Sequence, residues 1–176
     1  MTLTTKFLIG AFGATIALCG YLFMEDGFQS ASAEYQKGNI EKAKELYEKA
    51  CDKGKAQSCT IMGNMYIIGD SNLTRDYTKA VIFLTKACDG DDAEGCSLMG
   101  TLHLNGQGVE KNVSKSVQFY QKSCDKENPI SCAKLGMMYK EGQELKQDIT
   151  KAKEFLSKAC NQNLTRACEE YKNIDN

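Results

Sequence analysis

An all-α solenoid of helical hairpins is the fold class this sequence predicts, and three observations predict it. Eight of the nine cysteines form four pairs, 51 and 59, 88 and 96, 124 and 132, 160 and 168, each spaced C-x7-C. Successive pairs step by 37, 36 and 36 residues. Apolar residues recur in register with the cysteines at the period of a helix face, and a fixed repeat of this length is the signature of stacked supersecondary units.

Aligned on the first cysteine of each pair, one helix comes into view. Twelve residues before it stand Asn39, Asp76, Asn112 and Asp148, all good N-cap types. Eight before come Ala43, Ala80, Ser116 and Ala152; five before, Leu46, Phe83, Phe119 and Phe155; four before, Tyr47, Leu84, Tyr120 and Leu156. These offsets trace a single apolar stripe.

A second helix follows the second cysteine. Met62, Met99 and Leu135 come three residues on, then Gly63, Gly100 and Gly136, then Tyr66, His103 and Tyr139, with Gly69, Gly106 and Gly142 closing the element. A glycine inside a helix costs about 1 kcal/mol against alanine. Three in one column imply backbone kept bare for the close approach of a partner helix.

In one continuous helix, residues eight apart would be separated by about 12 Å along the axis, whereas a disulfide needs Cα atoms within about 7 Å. If each pair bonds, the chain must therefore turn between its cysteines. The intervening segments carry the Gly, Asn, Asp and Pro that turns use. The repeat register selects this local pairing, Cys51–Cys59, Cys88–Cys96, Cys124–Cys132 and Cys160–Cys168, from the 105 that eight cysteines allow.

The array predicted is thus four disulfide-clasped hairpins, residues 39–72, 73–108, 109–144 and 145–173. A leading half-unit at 27–38 has Ala31 and Ser32 in the apolar and glycine slots, Tyr35 in the tyrosine slot and Phe28 where a cysteine would stand. The shortened, polar second helix after Cys168 reads as a cap.

Residues 1–26 read as an N-terminal apolar helix that is either a signal peptide or a membrane anchor: Lys6 precedes 18 apolar residues, 7–24, closed by Glu25 and Asp26. Lysine before and acids after this run direct the body, residues 27–176, away from the cytoplasm. Cysteine density points to the same oxidising side, so a periplasmic or secreted location is expected, with anchoring to the inner membrane if the segment is retained. The small-x-small motif Ala31-Ser32-Ala33 has the form of a cleavage site, but cleavage there would cut the leading half-helix. Cys19, inside the apolar run, reads as a small hydrophobe. A net charge of −1 with mixed signs gives no footprint for nucleic acid and no polybasic run for a membrane.

With these residues in place, the chain resembles the Sel-like repeat proteins, relatives of the tetratricopeptide repeats, and within them the cysteine-rich, secreted Hcp group. Lys-Ala-Cys-Asp at 49–52 and 86–89, Lys-Ser-Cys-Asp at 122–125, Lys-Ala-Cys-Asn at 158–161 and Cys-Ala-Lys-Leu-Gly-Met-Met-Tyr-Lys-Glu-Gly at 132–142 carry the likeness, which spans about residues 28–171. It implies an α/α superhelix with disulfides inside each repeat and a concave face that binds a peptide, a protein or a cell-wall ligand. Members of the group are also described as penicillin-binding proteins with weak β-lactamase activity, so β-lactams are a second ligand class it implies.

The residues themselves offer little chemistry. No C-x2-C or histidine cluster suggests a metal, and no motif calls for a cofactor. His103, the single histidine, fills a tyrosine slot and reads as a packed aromatic. Serine β-lactamases use Ser-x-x-Lys with further motifs. The tetrad occurs as Ser123 to Lys126 and Ser131 to Lys134, with both serines in small-residue slots and no Ser-Asp-Asn or Lys-Thr-Gly alongside. Two lysine columns, Lys42, Lys79, Lys115 and Lys151, and Lys49, Lys86, Lys122 and Lys158, share one flank of every first helix. They read either as a solvated flank that complements helix dipoles or as an anion-binding edge. Asn72 and Asn112 both sit in acidic-x-Asn-x-Ser/Thr sequons used by some bacterial glycosylation systems, Asn112 with the simpler reading of an N-cap.

Overall fold

The computed structural model describes residues 27–69 and 73–175. Those residues form a succession of antiparallel helices: α1 (Gly27–Gln36), α2 (Ile40–Asp52), α3 (Ala56–Ile68), α4 (Tyr77–Asp89), α5 (Ala93–Asn105), α6 (Val113–Asp125), α7 (Pro129–Glu141), α8 (Ile149–Asn161) and α9 (Thr165–Lys172), with a 3-10 turn at Asn173–Asp175. No strand occurs among the described residues. The apolar run 7–24, Cys19 and Asn72 lie outside them.

Each cysteine pair is bonded, with Cα atoms 4.6 to 4.8 Å apart. The turn between them is the same four times. In the first, Gly54 N–H donates to the Cys51 carbonyl and Lys55 N–H to the Ala50 carbonyl, the paired bonds of a Schellman motif. Gly54, Asp91, Glu127 and Asn163 supply its left-handed residue. The next residue is already the N-cap of the following helix; Asp92 and Asn128 accept there from Gly95 N–H and Ser131 N–H. Helix end, turn and helix start are compressed into three residues, which brings the cysteines together.

The longer connections repeat as well. Gly69, Gly106 and Gly142 end α3, α5 and α7 with φ near +69°, a conformation that suits glycine. Asp76, Asn112 and Asp148 cap α4, α6 and α8, accepting from Lys79, Lys115 and Lys151 N–H, and donate their own N–H to the carbonyls of Tyr66, His103 and Tyr139. Asn39 departs from this pattern. Its side-chain amide donates to Glu34 instead of capping α2.

The bare glycines meet the helix across the long loop, not the one across the disulfide. A Cβ on Gly63 would lie 2.5 Å from Leu84, on Gly100 2.7 Å from Tyr120, and on Gly136 2.7 Å from Leu156. The closest helix pairs are therefore α3 with α4, α5 with α6 and α7 with α8. Each is also joined by a stacked ring pair: Tyr66–Phe83, His103–Phe119 and Tyr139–Phe155. At the N-terminal end Ser32 takes the glycine's place and bonds the Tyr47 hydroxyl at 2.9 Å. Ala31 is completely buried there, so the small-x-small motif lies inside a packed helix.

Candidate functional site

Between α5, α7 and α9 runs a groove of about 610 Å³ whose lining is mostly apolar, with Leu104, Ile130, Met137, Met138 and Leu164 among its walls. Tyr120 reaches its floor from α6. The cysteine register places these side chains on one face, because α5, α7 and α9 all follow a disulfide turn and enter in the same phase.

Two cations line this groove, Lys134 from α7 and Arg166 from α9. Lys134 Nζ donates to Thr101 Oγ1 at 2.9 Å and to the Tyr120 hydroxyl at 3.4 Å, and it lies 4.9 Å from the Tyr120 ring centre. Thr101 and Tyr120 are themselves bonded at 2.9 Å. Among the described residues, the polar partners of Lys134 are thus neutral hydroxyls. At the α9 side Glu170 pairs with Lys140 at 2.7 Å, and that lysine holds its carboxyl below the usual range. A smaller cavity of about 290 Å³ lies at the other end of the array, beside Tyr35, Tyr47 and Met65.

The two Ser-x-x-Lys tetrads do not assemble a nucleophile. Ser123 and Ser131 are both 0% exposed. Ser131 donates to Ser123 Oγ at 2.8 Å, and Ser123 donates to the Ala93 carbonyl at 2.6 Å. Their protons are thus committed to a buried chain that ties α7 to α6 and α5. Lys126 turns to Asp91 at 3.0 Å and lowers its pKa, while Lys134 points into the groove. Their sequence spacing reflects the repeat columns and not a shared site.

The lysine columns are largely engaged within the protein. Lys42 pairs with Glu34 at 3.5 Å and Lys79 with Asp76 at 3.8 Å; Lys79 and Lys151 also stand over the rings of Tyr66 and Tyr139. Lys49 pairs with Glu45, Lys86 with Asp52, and Lys158 with Glu154. Lys122 donates to the Cys88 carbonyl at 2.6 Å and so bridges successive units. Exposed pairs of this kind contribute little stability individually. Asn112 spends its side-chain oxygen on the α6 cap.

His103 is packed, as its slot implies. It is 7% exposed, with its ring 5.3 Å from that of Phe119. Burial lowers its pKa, and repulsion from Lys115 adds to the effect against a bond to the Glu110 backbone. Among the described residues its Nδ1 is buried without a partner.

The groove's lysine has a signal in the sequence that belongs to no catalytic motif. Two residues beyond the second cysteine the copies read Ile61, Leu98, Lys134 and Glu170. Charge replaces an apolar side chain in the last two copies, which marks an altered surface there.

The Sel1 repeat profile matches residues 18–55, 56–92, 93–128 and 129–164. The chain belongs to the Sel1 repeat family. The boundaries at 55, 92 and 128 fall inside the disulfide turns, half a unit out of phase with hairpins counted from the N-caps. The units 56–92, 93–128 and 129–164 therefore each contain one close glycine approach. No curated protein matches the chain. Among solved structures it is similar to a protective antigen of uropathogenic Escherichia coli displaying an SLR fold (TM-score 0.74, 23% identity, 82% of this chain and 32% of that one). It is also similar to a Sel1 repeat protein from Oxalobacter formigenes (TM-score 0.73, 19% identity, 83% and 58%). It therefore spans about a third of the first and somewhat over half of the second, and these two likenesses concern the fold. Helicobacter pylori cysteine rich protein B is matched over 93% of its own length and 74% of this chain, at 27% identity and TM-score 0.59. The chain is accordingly a cysteine-rich Sel1-repeat scaffold, and its four disulfides are consistent with an oxidising extracellular or periplasmic compartment.

Proposed function

We propose that this Sel1-repeat protein is an exported binding scaffold that holds a peptide or protein partner in the groove between α5, α7 and α9. One observation supports the reading above the others: an apolar groove of about 610 Å³ is open at the surface, with a lysine at its floor. Soluble proteins seldom leave such a surface uncovered without a binding role. The disulfides and the charge order around residues 7–24 support the exported part of this reading.

A photoreactive amino acid at Met138, incorporated in the native host and irradiated in intact cells, tests both parts. Cross-linking of Met138 to a discrete partner in the cell envelope is expected, with no such product from the same group at Gln118, which is exposed on α6. Equal, diffuse products from both positions, or a partner confined to the cytoplasm, would refute it.

A further inference from the structure

The groove specifies more than a peptide-sized space; the chemistry of its ligand rests on its role as a docking site for a partner. Of the two cations that line it, Lys134 is unusual in this protein. Lys37, Lys42, Lys44, Lys49, Lys86 and Lys140 all pair with carboxylates. Lys134 is instead half-buried at the groove floor, held by Thr101 and Tyr120. An ammonium has three donors. Two of them are on neutral oxygens, which among the described residues leaves one donor and a full charge without a paired carboxylate. The two preceding copies place Ile61 and Leu98 in this column and the last places Glu170, so packing does not require a cation there.

The remaining lining limits what can meet it. Met137, Met138, Leu104 and Leu164 favour an apolar side chain. Arg166 on α9 lines the same groove and favours an anion, while Glu141 and Glu170 oppose a run of acids. A ligand with one carboxylate and one apolar side chain, close together, satisfies all three demands. A polypeptide terminus carries both groups on a single Cα. We propose that the groove receives the C-terminal residue of a partner protein, its carboxylate on Lys134 and its apolar side chain against Met137 and Met138.

Fluorescence anisotropy on the oxidised full chain tests this with labelled peptides Ser-Gly-Ser-Gly-Ser-Leu in free-acid and amidated forms, and an amidated peptide with an internal Asp-Leu. A charge-assisted hydrogen bond predicts that the free acid binds about tenfold or more tighter than either amide. Lys134→Gln retains a donor toward Thr101; it should bring the free acid down to the level of its amide while leaving the thermal midpoint unchanged. Met138→Gln should weaken acid and amide alike. Equal binding of acid and amide, binding of the internal acid as tight as the terminal one, or no binding of any probe at about 1 mM would overturn the proposal. In each of those cases the cross-link at Met138 still decides separately whether the groove is a docking site.

Discussion

Replacing Gly100 by alanine sets two effects of known size against each other. Alanine is favoured over glycine inside a helix by about 1 kcal/mol. The added Cβ would lie 2.7, 2.8 and 3.1 Å from three ring atoms of Tyr120. That ring is 1% exposed and its hydroxyl is tied to Thr101 and Lys134, so it cannot swing aside without losing those bonds. Overpacking of a tight core costs about 1–3 kcal/mol, and loss of a buried hydroxyl's bonds adds about 1 kcal/mol. The net expectation is destabilisation by about 1–3 kcal/mol. Gly63→Ala is the parallel case. The atoms met there are the branch carbon and methyls of Leu84 at 2.5, 2.6 and 3.3 Å, and Leu84 is 0% exposed, so a destabilisation of similar size is expected. Urea unfolding with the disulfides intact, followed by far-UV circular dichroism and fitted with a common slope, measures both. A Gly100→Ala protein as stable as the parent, or more stable, would refute the close-approach argument.

Three further expectations come from the turns and the core. Glu127 holds the left-handed position of its turn at φ 62°, so Glu127→Gly should stabilise the protein by about 0.5–1 kcal/mol in the same urea assay. Ser131→Ala removes the donor to Ser123 and should cost about 1–2 kcal/mol with no change in chromogenic cephalosporin hydrolysis over a heat-denatured blank; turnover lost on this substitution would restore the serine to a chemical role. His103 has its pKa lowered by burial. Below about pH 6.5, the ordinary histidine value, the unfolded chain therefore binds a proton that the folded one resists, and stability falls as pH drops through that range. His103→Tyr, the residue of the neighbouring units, should flatten the dependence between about pH 6.5 and 5 in a melting series; an unchanged slope would assign it to other groups.

Much of the fold was legible because its markers are local. The N-caps at Asp76, Asn112 and Asp148 and the closing glycines at 69, 106 and 142 act within one turn of chain, so residue type and register suffice to find them. The bare glycines were legible as contact points, but not their partners. Gly63 faces Leu84, 21 positions away, while the cysteine bond draws attention to the other neighbour. Nothing in a column of small residues says which adjacent helix uses it. The groove was hidden for a related reason. Met137, Met138 and Leu164 meet only when successive units stack. Lys134 drew notice for its spacing from Ser131, when its significance lies in being charged where Ile61 and Leu98 are not. The lysine columns show the converse: a regular pattern reads as a surface for ligands until Asp52, Asp91, Glu45 and Glu154 are found beside it.

The disulfide turns also bear on how the protein would fare among proteases. Each connects two helices through three residues, and the first and third expose basic residues, Lys53 and Lys55 in one and Lys126 in the other, the kind of site at which surface turns are cut. A cut at Lys53 or Lys126 falls between bonded cysteines, so both new ends remain tied by a bridge that spans the break. A nicked molecule would keep its mass on a non-reducing gel and separate into fragments only when a thiol is added. At these turns a severed backbone thereby does little harm.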